Sequence, residues 1–121
     1  MSIAVLVVED EALVRFDIAD YLAEQGFDVH EAANADQALA VLESVPGIRL
    51  VFTDIDMPGS MDGLKLSAAV RKRWPPVRII VTSGNRLADA ADMPDGSLFV
   101  AKPYSPAAIA RSMQGLLAGP Q

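Results

Sequence analysis

Four places in this sequence carry residue types that can do chemistry. Glu9-Asp10-Glu11 sets three carboxylates directly after the apolar run Ile3 to Val8. Asp54-Ile55-Asp56 follows Val51-Phe52-Thr53 and is cut off by Met57-Pro58-Gly59. Thr82-Ser83 closes the run Val77 to Val81, and Lys102-Pro103 closes a run ending at Ala101. A carboxylate at the edge of a core costs desolvation unless something compensates it, so Asp54 requires a partner. Converging carboxylates also resist joint ionisation. A hard divalent cation relieves that repulsion. Mg²⁺ suits carboxylate and carbonyl oxygens, keeps several waters and accepts phosphate oxygens. Lys102 is a point charge suited to Asp54 or to a phosphoryl oxygen, and Thr82 supplies a hydroxyl donor. An aspartate beside Mg²⁺ and a lysine can attack phosphorus and form an acyl phosphate.

The elements that must position these groups follow from periodicity. Ile3 to Val8 is continuously apolar, the pattern of a strand buried on both faces. Ala12 to Gln25 turns helical, with Val14, Ile18, Tyr21 and Leu22 on one stripe and Gly26 at C′. Phe27 to Glu31 is a short strand. Asn34 and Gln37 resemble a capping box for a helix carrying Ala38, Leu39, Val41 and Leu42, which Pro46-Gly47 stops. Ile48 to Thr53 is the central strand. Asp62 to Trp74 reads as a helix with Arg71, Lys72 and Arg73 at its favourable dipole end. Val77 to Val81 is a strand, Asn85 to Met93 a weak helix, and Ser97 to Ala101 a fifth strand. Ser105 as N-cap and Pro106 at N1 open a last helix with Ile109, Met113, Leu116 and Leu117 along one stripe. Strand and helix alternate throughout, which implies a parallel sheet with helices on both faces and right-handed crossovers. In such sheets function gathers at the carboxyl ends of the strands. Glu9, Asp10, Asp54, Thr82 and Lys102 all fall there.

With 121 residues the chain has room for one domain with a real core. A net charge of −6 argues against the phosphate backbone of nucleic acid as a main partner, and suits divalent cations or basic surfaces. Having no cysteine, it has neither a disulfide framework nor a thiolate metal site. The apolar run Ile3 to Val8 is too short to span a membrane, and a cytoplasmic location without membrane contact is the expectation.

The ensemble resembles the receiver domain of two-component response regulators. The resemblance spans essentially residues 1–121 as one receiver domain. It is carried by Glu9-Asp10, Asp54 with Met57-Pro58 and Asp62-Gly63, Thr82-Ser83, and Lys102-Pro103 in that order. It implies a flavodoxin-like (βα)5 three-layer sandwich with strand order 2-1-3-4-5. It also implies Asp54 as phosphoacceptor, Asp10 as a direct Mg²⁺ ligand and Glu9 as a ligand acting mostly through water. It implies the main-chain carbonyl of Asp56 as a further metal oxygen. Thr82 matches the hydroxyl that turns toward the phosphoryl group, Lys102 the lysine that contacts it, and Phe99 an aromatic switch. The Lys102-Pro103 bond is cis in relatives. The partners implied are a sensor histidine kinase or phosphotransfer protein and a downstream protein. The resemblance further implies a face of the fourth helix, fifth strand and fifth helix that changes on phosphorylation and is the expected contact for the downstream protein or for a homodimer.

Two departures stand out. Gly59-Ser60-Met61 makes the loop one residue longer than the commonest family spacing, and a bulge beside the site is expected. Asp56 adds a carboxylate expected to change the dephosphorylation rate by orienting water or repelling anions, while Ser83 and Gly84 keep their side small and open. Each residue also has a plainer reading. Asp54 alone is a candidate helix cap, Glu11 a helix-start charge, and Phe99 core. Tyr104 and Trp74 read as packing at helix ends. His30, the only histidine, has no partner in its neighbourhood and reads as a surface residue. A haloacid-dehalogenase-like phosphatase is the competing enzyme reading, because Asp54-Ile55-Asp56 mimics its nucleophile and acid. Against that reading, this sequence has no cap insertion and carries its additional acidic pair before Asp54 instead of after the lysine. A degenerate receiver used only for docking is the third reading. Gly119-Pro120-Gln121 ends the sequence just after the last helix, as expected of a stand-alone receiver or a piece of a longer chain.

Overall fold

A computed structural model describes residues 2–84 and 96–118. The elements run β1 (Ala4–Val8), α1 (Ala12–Glu24), β2 (Asp28–Ala32), α2 (Ala35–Ser44) and β3 (Ile48–Asp54). They continue with α3 (Gly63–Arg73), β4 (Arg78–Ser83), β5 (Leu98–Ala101) and α4 (Pro106–Ala118). The weak helix expected over Asn85 to Met93 lies outside the described residues. All strand pairs are parallel, and the order is β2-β1-β3-β4-β5.

Alternation along the central strands divides the core into two layers. Val5 and Val7 of β1 face one way with Leu50, Phe52 and Ile80, and meet Ile18 and Leu22 of α1 and Ile109 and Met113 of α4. Leu6 and Val8 face the other way with Val51, Ile79 and Val81, and meet Ala38 and Leu42 of α2 and Leu66 and Val70 of α3. Period-two alternation is what gives one strand two buried faces. Burying each large aliphatic side chain contributes about 1.5–3 kcal/mol.

The helix starts follow the sequence chemistry. Asn34 Oδ1 accepts from the Gln37 N–H at 2.9 Å, while Gln37 Oε1 accepts from the Ala33 N–H at 2.8 Å, one residue before a true capping box would reach. Asp62 Oδ1 caps α3 through the Lys65 N–H at 2.9 Å, and Ser105 Oγ caps α4 through Ala108 at 3.0 Å. Gly26 at φ 98° ends α1 in the left-handed region that favours glycine. Among the described helices only α1 starts without a side-chain cap on its N-cap residue, Glu11. Its first turn is instead tied to Glu9: the Glu11 N–H donates to Glu9 Oε2 at 3.0 Å, and Arg15 Nη1 donates to the Glu9 carbonyl at 2.8 Å.

His30 does have a partner, which corrects the expectation. Its Nε2 lies 3.3 Å from Asp28 Oδ2, because residues i and i+2 of a strand share a face. Tyr104 packs as read, edge-on to Phe52 with ring centroids 5.4 Å apart. Trp74 packs against the α2–α3 side and under the Arg73 guanidinium, 4.4 Å from its ring.

Candidate functional site

The parallel register delivers the polar strand ends to one rim. Val8 pairs with Thr53, so Glu9 emerges beside Asp54; Asp54 in turn pairs with Thr82. Ser83 pairs with Ala101, which brings Lys102 around from the far side. Asp54 is 3 % exposed and Glu9 5 %, whereas Asp10 stands in solvent. One oxygen each from Glu9, Asp10 and Asp54 lies within 4.8 Å of the others.

Lys102 answers what compensates Asp54. Its Nζ donates to Asp54 Oδ2 at 2.6 Å and lies 4.0 Å from Glu9 Oε1. Burial works to lower the ammonium pKa. The Asp54 hydrogen bond and charge, with Glu9 and Asp56 behind them, outweigh it and hold the pKa above the ordinary lysine value. The Glu9 pKa is raised as well, from 4.5 up to about 7: burial leads, and Asp10 and Asp54 add to it against the Glu11 N–H and Lys102. Burial also carries the Tyr104 phenol up to about 12, with the charges of Glu9, Asp54 and Asp17 assisting.

The donor set fits a hard divalent cation. It consists of three carboxylates without nitrogen or sulfur, and one of them, Glu9, resists ionisation chiefly because it is buried. A cation there would offset the repulsion that a single lysine leaves incomplete.

The loop after β3 is pinned rather than loose. The Asp56 N–H donates to Asp54 Oδ1 at 3.1 Å, and the Gly63 N–H donates to the Ile55 carbonyl at 2.9 Å. Gly63 packs so closely beneath the phosphoacceptor candidate that a Cβ there would fall 2.1 Å from the Asp54 carbonyl oxygen. In the longer segment Gly59 takes φ 111°, and Ser60 Oγ donates to Asp36 Oδ1 at 2.8 Å, tying the loop to the first turn of α2. Thr82 Oγ1 is buried without a hydrogen-bond partner among the described residues. Phe99 stands half-buried on β5 beside Val81, against the α2–α3 side of the core. The Lys102-Pro103 bond is cis.

Sequence reasoning missed the role of Ser83. It is fully buried, and its Oγ donates to Asp56 Oδ2 at 2.9 Å. Only the adjacency of Thr82 to Asp54 in the register would have flagged it. Also missed was an open hollow of about 750 Å³ bounded by Leu13, Val14, Lys102, Pro103 and Tyr104. Leu13 and Phe16 of α1 stand 84 % and 49 % exposed.

A family model described as the response regulator receiver domain matches residues 5–114. The chain belongs to the response regulator receiver domain family. Among relatives of this receiver, a "Sensor kinase CckA" of Brucella abortus is 36% identical over 120 residues, 96% of this chain and 13% of that protein. A "Putative response regulator NtrX-like" of Rickettsia bellii is 40% identical over 90 residues, 74% of this chain and 19% of its own length. The receiver thus spans less than a fifth of these two curated relatives. Among solved structures, a response regulator receiver protein from Sinorhizobium medicae superposes with TM-score 0.89 at 26% identity, covering 96% of this chain and 94% of that one. The receiver domain of hybrid histidine kinase CckA superposes with TM-score 0.80 at 30% identity, covering 94% and 98%. No helix among the described residues is long and apolar enough to cross a membrane.

Proposed function

We propose that this receiver accepts a phosphoryl group on Asp54 from the phosphohistidine of a histidine kinase or phosphotransfer protein. The observation that carries the reading is Lys102 Nζ at 2.6 Å from Asp54 Oδ2, with Glu9 and Asp10 oxygens gathered at the same carboxylate. Glu9, Asp10, Asp54 and the Asp56 carbonyl would hold Mg²⁺, which when bound neutralises charge on the rim and on a phosphoryl group. A carboxylate oxygen of Asp54 bonds to phosphorus as the donor N–P bond breaks. The electron pair leaves on the imidazole nitrogen, which takes a proton. Lys102 then neutralises a phosphoryl oxygen, and the Thr82 hydroxyl donates to another. Water later attacks phosphorus, the bond to Asp54 breaks, and inorganic phosphate departs. This chemistry on its own Asp54 is the only catalysis proposed for residues 1–121.

The phosphoryl group gives the Thr82 hydroxyl an acceptor, and Phe99 beside Val81 follows it inward. That movement changes the face around β5 which a downstream protein, or a second receiver, contacts. The likeness to a sensor kinase and to the receiver of a hybrid kinase supports a histidine kinase as donor. The exposed Leu13 and Phe16, beside a hollow that reaches Lys102, suit the approach of such a donor to the rim. A cytoplasmic site of action fits a kinase donor. Phosphotransfer profiling against candidate histidine kinases tests the reading, with Asp54→Asn as control. Label is expected on the native receiver and none on the variant. Label on the variant, or steady turnover of phosphate monoesters, overturns it.

A further inference from the structure

Four hydrogen bonds close a ring through the rim. Lys102 Nζ donates to Asp54 Oδ2 at 2.6 Å, and the Asp56 N–H donates to Asp54 Oδ1 at 3.1 Å. Ser83 Oγ donates to Asp56 Oδ2 at 2.9 Å, and the Lys102 N–H donates to the Ser83 carbonyl at 3.0 Å. The ring therefore joins the end of β3, the loop after it, the end of β4 and the residue after β5. Both oxygens of Asp54 are held by it, one from each direction.

Two of the four bonds start from a main-chain N–H. The link between Ser83 and Asp56 exists only because a hydroxyl faces a carboxylate across 27 positions of sequence. Its donor is fully buried and its acceptor sits on an exposed residue. A charge-assisted bond from a rigid strand end to a surface loop fixes the loop, not the strand. What the loop then fixes is the Asp56 N–H, and with it the orientation of the Asp54 carboxylate.

We propose that Asp56 and Ser83 are a positioning pair that holds Asp54 in register with Lys102 and so sets the rate of phosphoryl acceptance. The inference rests on Asp54 being the acceptor. Neither residue touches the transferred group; the pair acts through the geometry of its neighbours. This differs from a charge effect of Asp56, because a neutral side chain that keeps the bond to Ser83 would preserve it.

The test is the initial rate of labelling by acetyl phosphate with Mg²⁺, followed by intact mass. Asp56→Ala and Ser83→Ala are each expected to slow labelling roughly tenfold, since small misplacements of reacting groups carry such costs. The double variant is expected to be no slower than either single one, because the ring opens only once. Asp56→Asn keeps its main-chain carbonyl and an oxygen acceptor for Ser83, and is expected to recover most of the rate that Asp56→Ala loses. Unchanged single variants, single effects that multiply in the double, or an Asn variant as slow as Ala would overturn the pair. Should buried Ser83→Ala fail to fold, the contrast of Asn with Ala at exposed Asp56 decides alone. Asp54→Asn runs alongside: label on it overturns the acceptor assignment instead of the pair.

Discussion

Lys102 Nζ meets Asp54 Oδ2 at 2.6 Å across 48 positions of sequence, and the same nitrogen stands 4.0 Å from Glu9 Oε1. One cation thus serves two carboxylates that are nearly excluded from solvent. The parallel register makes this contact, since β5 lies two strands away from β3 and only the chain beyond its end can reach back across β4. The arrangement leaves a surplus of negative charge on the rim, which is the condition for binding a cation and for feeling its loss.

Removing that ammonium is expected to strand Asp54. In EDTA, Lys102→Ala should lose about 1–3 kcal/mol of stability, the cost of a buried group left unsatisfied. Mg²⁺ should recover most of it. Labelling should fall by about 10²–10³, the range seen when one preorganised donor is lost. Urea unfolding with and without Mg²⁺ measures the first effect, and intact mass after acetyl phosphate the second. Equal stabilities in EDTA would show that Lys102 does not compensate Asp54.

Glu9 should make the metal-free fold sensitive to pH. Its carboxyl rises from 4.5 to about 7, chiefly through burial. Between those values the folded receiver holds a proton that the unfolded chain has released. The sign follows: the stabilisation is complete below about pH 4.5 and is lost as pH rises through about 7, with a ceiling of about 3 kcal/mol. Mg²⁺ requires the ionised carboxylate, so its apparent affinity should climb over the same window. Urea midpoints at a series of pH values in EDTA, for native receiver and Glu9→Gln, check this. A Gln variant with the same slope would rule Glu9 out as its source.

Much of this was legible from residue order because parallel sheets make strand ends converge. The apolar runs ending at Val8, Thr53 and Val81 mark the strands, and the polar residues after them fall on one rim whatever the details of packing. Strand order needed the family resemblance, since several orders satisfy the same alternation. Contacts between loop and strand end were not legible. Ser83 reads as a small residue until Asp54 is paired with Thr82, after which its hydroxyl and Asp56 become neighbours. Gly63 reads only as part of the Asp62-Gly63 motif at a helix start, yet its demand is spatial: the chain must pass against the Asp54 carbonyl. The pairing of Asp28 with His30 was readable from strand alternation alone and was overlooked.

The close passage at Gly63 is expected to tolerate no side chain. A Cβ would lie 2.1 Å from the Asp54 carbonyl oxygen and 2.7 Å from Ile55 Cα, both backbone atoms that cannot swing aside. Gly63→Ala should cost about 3 kcal/mol, at the upper end of overpacking, and should slow labelling by displacing Asp54. Gly47→Ala is the control: nothing lies within 4 Å of its Cβ, so its effect should stay within about 0.5 kcal/mol. Chemical denaturation of both variants compares them directly. A Gly63→Ala receiver as stable as the control would mean that the loop can retreat from β3 at little cost.

Thr82 offers a prediction of opposite sign. Its Oγ1 is buried, the residue is 1 % exposed, and the hydroxyl has no hydrogen-bond partner among the described residues. An unsatisfied buried hydroxyl costs about 1–3 kcal/mol, and valine fills nearly the same volume without it. Thr82→Val should therefore raise the stability of the unphosphorylated receiver by about 1 kcal/mol. The phosphoryl group would supply the missing acceptor, so the native receiver should gain stability on labelling that the valine variant does not. Unfolding of labelled and unlabelled protein, native and Thr82→Val, gives the four values of a cycle. A valine variant that is less stable than native when unlabelled would show the hydroxyl already satisfied. Equal gains on labelling would show that it does not meet the phosphoryl group.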